Sequence, residues 1–195
     1  MEEITPRQFA NLVEKNRSCR RFQEEDTFSR KELENLIDMA RKTASAANRQ
    51  PLKYFISWRK EDNQKIFPAL SWAGALKDWD GPSSGERPAG YIVILGDTRI
   101  AENYFCDPGI AAQTILLGAR AGGRAGCIFA AIDREKLREN LSIHENFEIL
   151  YVLALGTPAE EILLEDLEGE NYNYWRDEED VHHVPKRKLQ DIIIN

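Results

Sequence analysis

The chain has 195 residues, 42% hydrophobic and 30% charged, with 33 acidic against 26 basic side chains and a formal net charge of -7. That length suffices for one domain with its own core, and the composition is that of a globular protein. An acidic balance argues against nucleic acid or a membrane surface as partner, and no apolar run approaches the roughly 20 residues of a membrane span.

The start, Met1-Glu2-Glu3, lacks an apolar signal region, so a cytoplasmic location is expected. Cys19, Cys106 and Cys127 are odd in number and widely spaced, which reads as free thiols. Thr5-Pro6-Arg7-Gln8 predicts a capped helix with Phe9, Leu12 and Val13 on one face. An arginine-rich loop, Arg17-Ser18-Cys19-Arg20-Arg21-Phe22, follows it. Ser29-Arg30-Lys31-Glu32 is a second capping box, opening a helix with Leu33, Leu36, Ile37 and Ala40 at helical spacing. That helix ends in the turn-prone loop 45–51.

Residues 54–58 read as a strand, 64–75 as a helix and 77–88 as a long loop flanked by Trp72 and Trp79. The two tryptophans are packing residues first, and walls of an aromatic pocket second. A buried strand is predicted over 91–95. Asp107-Pro108 is read as the cap of an apolar, glycine- and alanine-rich helix over 109–121, placed in the core. Further elements are a strand over 126–132, a helix over 133–140 and a strand over 149–155. After Gly156 the chain turns polar and acidic, with order expected again near 172–176 and 184–194. Helices and strands alternate without strict βαβ rhythm, which predicts an α+β layered fold.

The common catalytic signatures are absent. The glycines at 118, 122, 123 and 126 end a helix and contain no G-x-G, so a Rossmann site is unsupported. There is no P-loop and no nucleophile elbow. His182 and His183, as extended neighbours, would point to opposite sides, and no metal site is expected. An enzyme of this kind leaves the chemistry to an organic cofactor. An acidic chain that crowds Arg17, Arg20 and Arg21 beside Ser18 offers donor forks suited to a fixed anion such as phosphate.

Asn16 to Phe22, N-R-S-C-R-R-F, resembles the first cofactor block of the nitroreductase family, approximately Arg-Arg-Ser-x-Arg-x-Phe. Residues 43–52, T-A-S-A-A-N-R-Q-P-L, resemble the second block and keep its Ser, Asn, Gln and Pro. The strand at 91–95, the small-residue helix after Asp107, Gly126-Cys127 and the basic Val184-Pro185-Lys186-Arg187 follow in the family's order. Asn16 replaces an arginine, Ala44 a proline and Leu52 a tryptophan of that pattern.

The resemblance implies a central, mostly antiparallel sheet flanked by helices, in a single domain over 1–195. Residues 160–195 would form a C-terminal extension packing on the partner subunit. It implies a homodimeric, FMN-dependent oxidoreductase with the flavin at the interface, NADH or NADPH as donor, and a small acceptor such as a nitroaromatic or quinone. Arg17 and Ser18, helped by Lys186 and Arg187, would reach the FMN phosphate or ribityl chain. Arg20 would lie near the phosphate or the N1–C2 edge of the ring, where a cation stabilises the negative charge of reduction. Ser45 and Asn48 would reach the cofactor from the partner, and the contact missing at Asn16 would either be lost or fall to Arg21. No side chain is assigned as catalytic. Two other readings use the same residues: a flavin-binding sensor or storage module without turnover, and a structural dimer with a decayed site.

Overall fold

Two helices begin where their side chains can satisfy the first free amides. In the computed structural model, which describes residues 3–76 and 78–195, α1 (Pro6–Lys15) starts at Thr5 and α2 (Arg30–Ala40) at Ser29. Both capping boxes are closed: Gln8 and Glu32 accept the Thr5 and Ser29 backbone N–H at 2.8 and 2.7 Å, respectively. The expected start of the long loop at Lys77 lies outside the described residues, as do Met1 and Glu2. α2 buries Leu33, Leu36 and Ala40, whereas α1 buries nothing and leaves Phe9 53% exposed.

Four antiparallel strands, β1 (Leu52–Ser57), β2 (Gly90–Asp97), β3 (Ala125–Phe129) and β4 (Phe147–Gly156), form the central sheet in the order β1-β2-β4-β3. All eight residues of β2 are buried, because both faces are covered. Ile92 and Ile94 face a core that includes Leu33, Leu36, Ile115 and Leu153. Tyr91, Val93 and Leu95 face the other, with Ile66, Trp72, Phe129 and Leu137. This alternation sets α2 and α4 (Asp107–Ala121) on one face, and α3 (Lys60–Ile66) and α5 (Arg134–Leu141) on the other. A Cβ on Gly118 would sit 2.6 Å from Met39 Cε, so this glycine permits the close approach of α4 to α2. The layered α+β architecture with a mostly antiparallel sheet is thus present.

Three elements differ from the reading of the sequence. The helix expected over 64–75 begins at Lys60 and ends at Ile66, where Phe67-Pro68 tighten into a 3-10 turn. Glu61 and Asp62 favour the earlier start through the helix dipole, and Pro68 cannot donate to a continuing helix. Asp107 does not cap α4. Cys106 stands at the cap position without a side-chain bond, and the Asp107 carboxylate turns to the loop at Ser45. The tail after Gly156 holds an unanticipated strand, β5 (Ile162–Asp166), parallel to β7 (His182–Lys186), with the short β6 (Trp175–Arg176) antiparallel on the far side of β7. The β5 side chains are largely exposed, so the strand lacks the buried alternation that would announce it.

Among the described residues no helix is long and apolar enough to cross a membrane. Cys19 and Cys127 are buried, Cys106 is exposed, and all three are free thiols; burial pushes the first two well above the ordinary thiol range. Trp72 packs edge-on against Trp79 and Phe129, at centroid distances of 6.1 and 4.6 Å, and contributes to the core.

Candidate functional site

After α1 the arginine segment is clamped in extended form across the body. Ser18 bridges Gly126 in parallel, Cys19 donates to the Gly126 carbonyl at 3.1 Å, and the fully buried Phe22 pairs with Pro158. Glu160 accepts the backbone N–H groups of Arg20 and, at 3.2 Å, of Arg21. β3 and the 157–160 turn therefore fix where the arginine side chains emerge.

They emerge into a cleft of about 340 Å³ that Arg17, Ser18 and Arg20 share with Tyr174, His182 and Lys186. Among the described residues no carboxylate lies within 4.0 Å of the charged groups of Arg17, Arg20 or Lys186. The neighbouring cations are spoken for: Arg21 pairs with Asp180 and, at 3.7 Å, with Glu86, while Arg176 pairs with Glu160 at 2.7 Å. In a chain with 33 acidic and 26 basic side chains, three cations without carboxylate partners around one cleft concentrate positive charge there, a setting that suits an anion. Arg17 Nη2 donates to the Val13 carbonyl at 2.8 Å, its buried Nε has no partner, and burial lowers its pKa. Arg20 is only 9% exposed, and its side-chain hydrogen bonds both run from Nη1.

The structure brings together four residues singled out from the sequence, Arg17, Ser18, Arg20 and Lys186. Ser45 and Asn48 lie elsewhere in the chain, on the loop before β1. Ser45 shares a second cleft of about 160 Å³ with Thr43, Gln50, Tyr54 and Asp107. Ser45 Oγ donates to Asp107 Oδ2 at 2.6 Å and accepts the Gln50 N–H at 2.9 Å. Asn48 is held in the left-handed region at φ +54°. Arg187 follows β7 and is exposed, outside the first cleft. Arg21 does not replace the arginine missing at Asn16, because Asp180 and Glu86 hold it. Asn16 itself is 8% exposed and closes α1, its N–H donating to Leu12 and Val13.

Tyr174 and Glu160 escaped the sequence reading, which took His182 only as one of a divergent pair with His183 and gave it no place beside the arginines. His182 and Lys186 share one face of β7, which the two-residue period of a strand over 182–186 would have shown. His182 is 1% exposed, and burial first, then the Arg20 charge, lower its pKa to about 4. His183 faces the other way, between Glu165 and Asp177. No group of three or more His, Cys, Asp or Glu among the described residues is placed to hold a metal.

The model of the Nitroreductase family matches residues 13–157, which takes in the arginine segment, the Ser45 loop and the whole central sheet. Among curated proteins nothing matches the chain. Solved structures do. A nitroreductase family protein of Clostridium difficile 630 is 24% identical with a TM-score of 0.63, over 78% of this chain and 85% of its own. One from Streptococcus pneumoniae is 17% identical with a TM-score of 0.68, over 96% and 99%. An FMN-dependent nitroreductase of a second Clostridium difficile strain is 19% identical with a TM-score of 0.63, over 78% and 88%. At these identities the likeness is one of fold. The family match, spanning well over half of the residues, goes further: the chain belongs to the nitroreductase family of flavin-using oxidoreductases.

Proposed function

We propose that the protein is a homodimeric, FMN-dependent oxidoreductase that moves hydride from NADH or NADPH, through bound FMN, to a small organic acceptor such as a nitroaromatic or quinone. The observation that carries this reading is the cleft in which Arg17, Arg20 and Lys186 stand without carboxylate partners. An unneutralised, nearly buried guanidinium beside a partnerless Arg17 Nε suits a phosphate, so the donor set fits the cofactor.

Arg17, Ser18 and Lys186 hold the phosphate in this reading, with Arg187 adding charge from the end of β7. Arg20 holds either the phosphate or the N1–C2 edge of the ring. Ser45 and Asn48, remote in their own chain, complete the site from the partner subunit. The uncovered α1 face with Phe9, and Leu163, Leu164 and Ile194, exposed by 44%, 40% and 98%, are surfaces that such a dimer and its 160–195 extension would cover. FMN supplies hydride transfer when bound. The residues bind it, orient it and neutralise its charge, which requires no catalytic acid or base.

The test is spectroscopic. Yellow, FMN-loaded protein should be bleached by NADH or NADPH without oxygen, and the colour should return when a quinone or nitroaromatic is added. Flavin that stays oxidised with both donors would show a binding module without turnover. Colourless protein that takes up no FMN would show a structural dimer.

A further inference from the structure

His182 Nε2 lies 3.3 Å from Arg20 Nη1. A guanidinium nitrogen can only donate, so Nε2 must accept and the ring proton must sit on Nδ1. A doubly protonated ring would set one N–H against another. Four charged or titratable groups bear on the imidazole: Arg20, Arg176 and His183 oppose its protonation, and Glu160 favours it. Nδ1 is buried and finds no partner.

The other contacts of Arg20 lead to the same geometry. Its Nη1 also donates to the Ser18 carbonyl at 3.2 Å, so both hydrogens on that nitrogen are engaged. The guanidinium carbon lies 4.6 Å from the Tyr174 ring centroid, and Tyr174 is in turn 5.2 Å from the His182 ring. One nitrogen and one face are thereby fixed. Neither Nε nor Nη2 donates to a nitrogen or oxygen among the described residues, and the buried Cys127 thiol is another neighbour of the guanidinium. Those two nitrogens form the edge with which arginine grips two acceptor atoms at once.

We propose that His182 is a positioning residue of the anion site: as the Nδ1–H tautomer it takes one Arg20 hydrogen bond and so presents the Nε–Nη2 edge to a bidentate anionic acceptor in the cleft. The inference rests on the FMN reading, in which that acceptor is the phosphate or the N1–C2 edge of the ring. Lysine at position 20 would not serve, because an ammonium has no second edge left to present once one contact is fixed.

FMN and riboflavin titrations followed by flavin fluorescence, on the wild type and on H182A, H182Q and H182N, test it. H182A should bind FMN about tenfold or more weakly, the range for a hydrogen bond to a charged group. Glutamine places an acceptor near the Nε2 position, so H182Q should recover to within about threefold of wild type. Asparagine reaches only the Nδ1 position, and H182N should stay weak. Loss with FMN alone assigns the edge to the phosphate; equal loss with riboflavin assigns it to the ring. NMR of the histidines supplies a readout free of flavin: His182 should hold the Nδ1–H tautomer, and its titration should move up toward the ordinary value in R20A. FMN binding by H182A as tight as wild type, H182Q no better than H182N, or a His182 titration that R20A leaves in place would each overturn the proposal. Wild type that binds neither flavin overturns it together with the functional reading. Wild type that binds FMN but is not reduced by either donor sinks only the functional reading.

Discussion

Glu160 and Arg176 form an ion pair at 2.7 Å with side chains only 2% and 10% exposed. Glu160 Oε1 takes the backbone N–H groups of Arg20 and Arg21, while Oε2 faces Arg176. One carboxylate thus ties the C-terminal sheet to the arginine segment. Arg176 also lies over the Trp79 ring, 4.6 Å from its centroid, which extends the tie to the loop after α3.

Replacing Glu160 by alanine should therefore disturb stability and site together. It leaves the buried Arg176 guanidinium with only Asp180, 3.7 Å from Nη1, and two amides without their acceptor, a change of about 3 kcal/mol, the lower end for breaking a buried pair. Urea unfolding of E160A should show that loss, and the protein should retain less FMN. E160Q keeps an acceptor oxygen for the amides and should lie between the two. Wild-type stability in E160A would remove Glu160 from this role.

Asp107 should matter to the Ser45 loop. It is 3% exposed and accepts from Ser45 Oγ at 2.6 Å and from the Ala46 N–H at 2.9 Å. The loop it holds carries Ala47, Asn48 and Gln50 at φ +50°, +54° and +51°, conformations that persist only where surrounding contacts enforce them. D107A should lose about 1.5–3 kcal/mol of stability, as expected for hydrogen bonds to a charged acceptor, and D107N less. Thermal unfolding reads the first effect. Faster proteolysis within 45–50 reads the release of the loop, and unchanged cleavage there would count against it.

These contacts also mark what a linear reading can reach. Thr5 with Gln8 and Ser29 with Glu32 were legible because a capping box is a contact across three residues. Arg17, Ser18 and Arg20 were legible as residue types, and the family pattern supplied the purpose proposed for them. Their setting was not, because Ser18 meets Gly126 and Arg20 meets His182 across long stretches of chain with no local period. Asp107 followed by Pro108 imitates a cap signal, yet the Ser45 hydroxyl and Ala46 amide compete for the carboxylate and win. β5 was invisible for a simpler reason: Leu163 and Leu164 remain 44% and 40% exposed, so its pattern encodes little burial.

The C-terminal sheet should weaken as pH rises. His183 Nδ1 lies 3.1 Å from Glu165 Oε2 and its Nε2 3.0 Å from Asp177 Oδ2, so both nitrogens act as donors in the protonated ring. The hydrogen bonds to Asp177 and then Glu165 raise its pKa above the ordinary value of 6.5. His183 thus binds its proton more tightly folded than unfolded. Its contribution is full below about pH 6.5 and is lost as pH climbs through the raised folded value. The His183 hydrogen bond lowers the pKa of Asp177, which loses its own contribution only as pH falls through that depressed value. His183 also stacks on Trp175 at 4.1 Å, which supplies an optical report. The difference in fluorescence between wild type and W175F should titrate above pH 6.5, and H183N should abolish the step. A step that survives in H183N would belong to another group.

Gly126 couples the central sheet to the arginine segment, and a methyl group there should show it. A Cβ at this position would stand 2.6 Å from the Ala154 carbonyl oxygen and 2.7 Å from Leu116 Cδ2. The carbonyl belongs to β4 and cannot step aside without breaking the β3–β4 register at Cys127 and Ala154. On its other side Gly126 bridges Ser18 and accepts the Cys19 N–H at 3.1 Å. G126A must push β3 away from β4 and α4, so about 1–3 kcal/mol of stability should be lost to overpacking. FMN retention should fall with it, because Ser18 and Arg20 hang from the displaced strand. G109A is the control. Gly109 lies in the first turn of α4 with nothing within 4 Å of an added Cβ, and alanine is the better helix former. It should unfold at the wild-type temperature or slightly above. Equal thermal stability of G126A and G109A would show that the β3–segment contact yields freely and does not set the arginines.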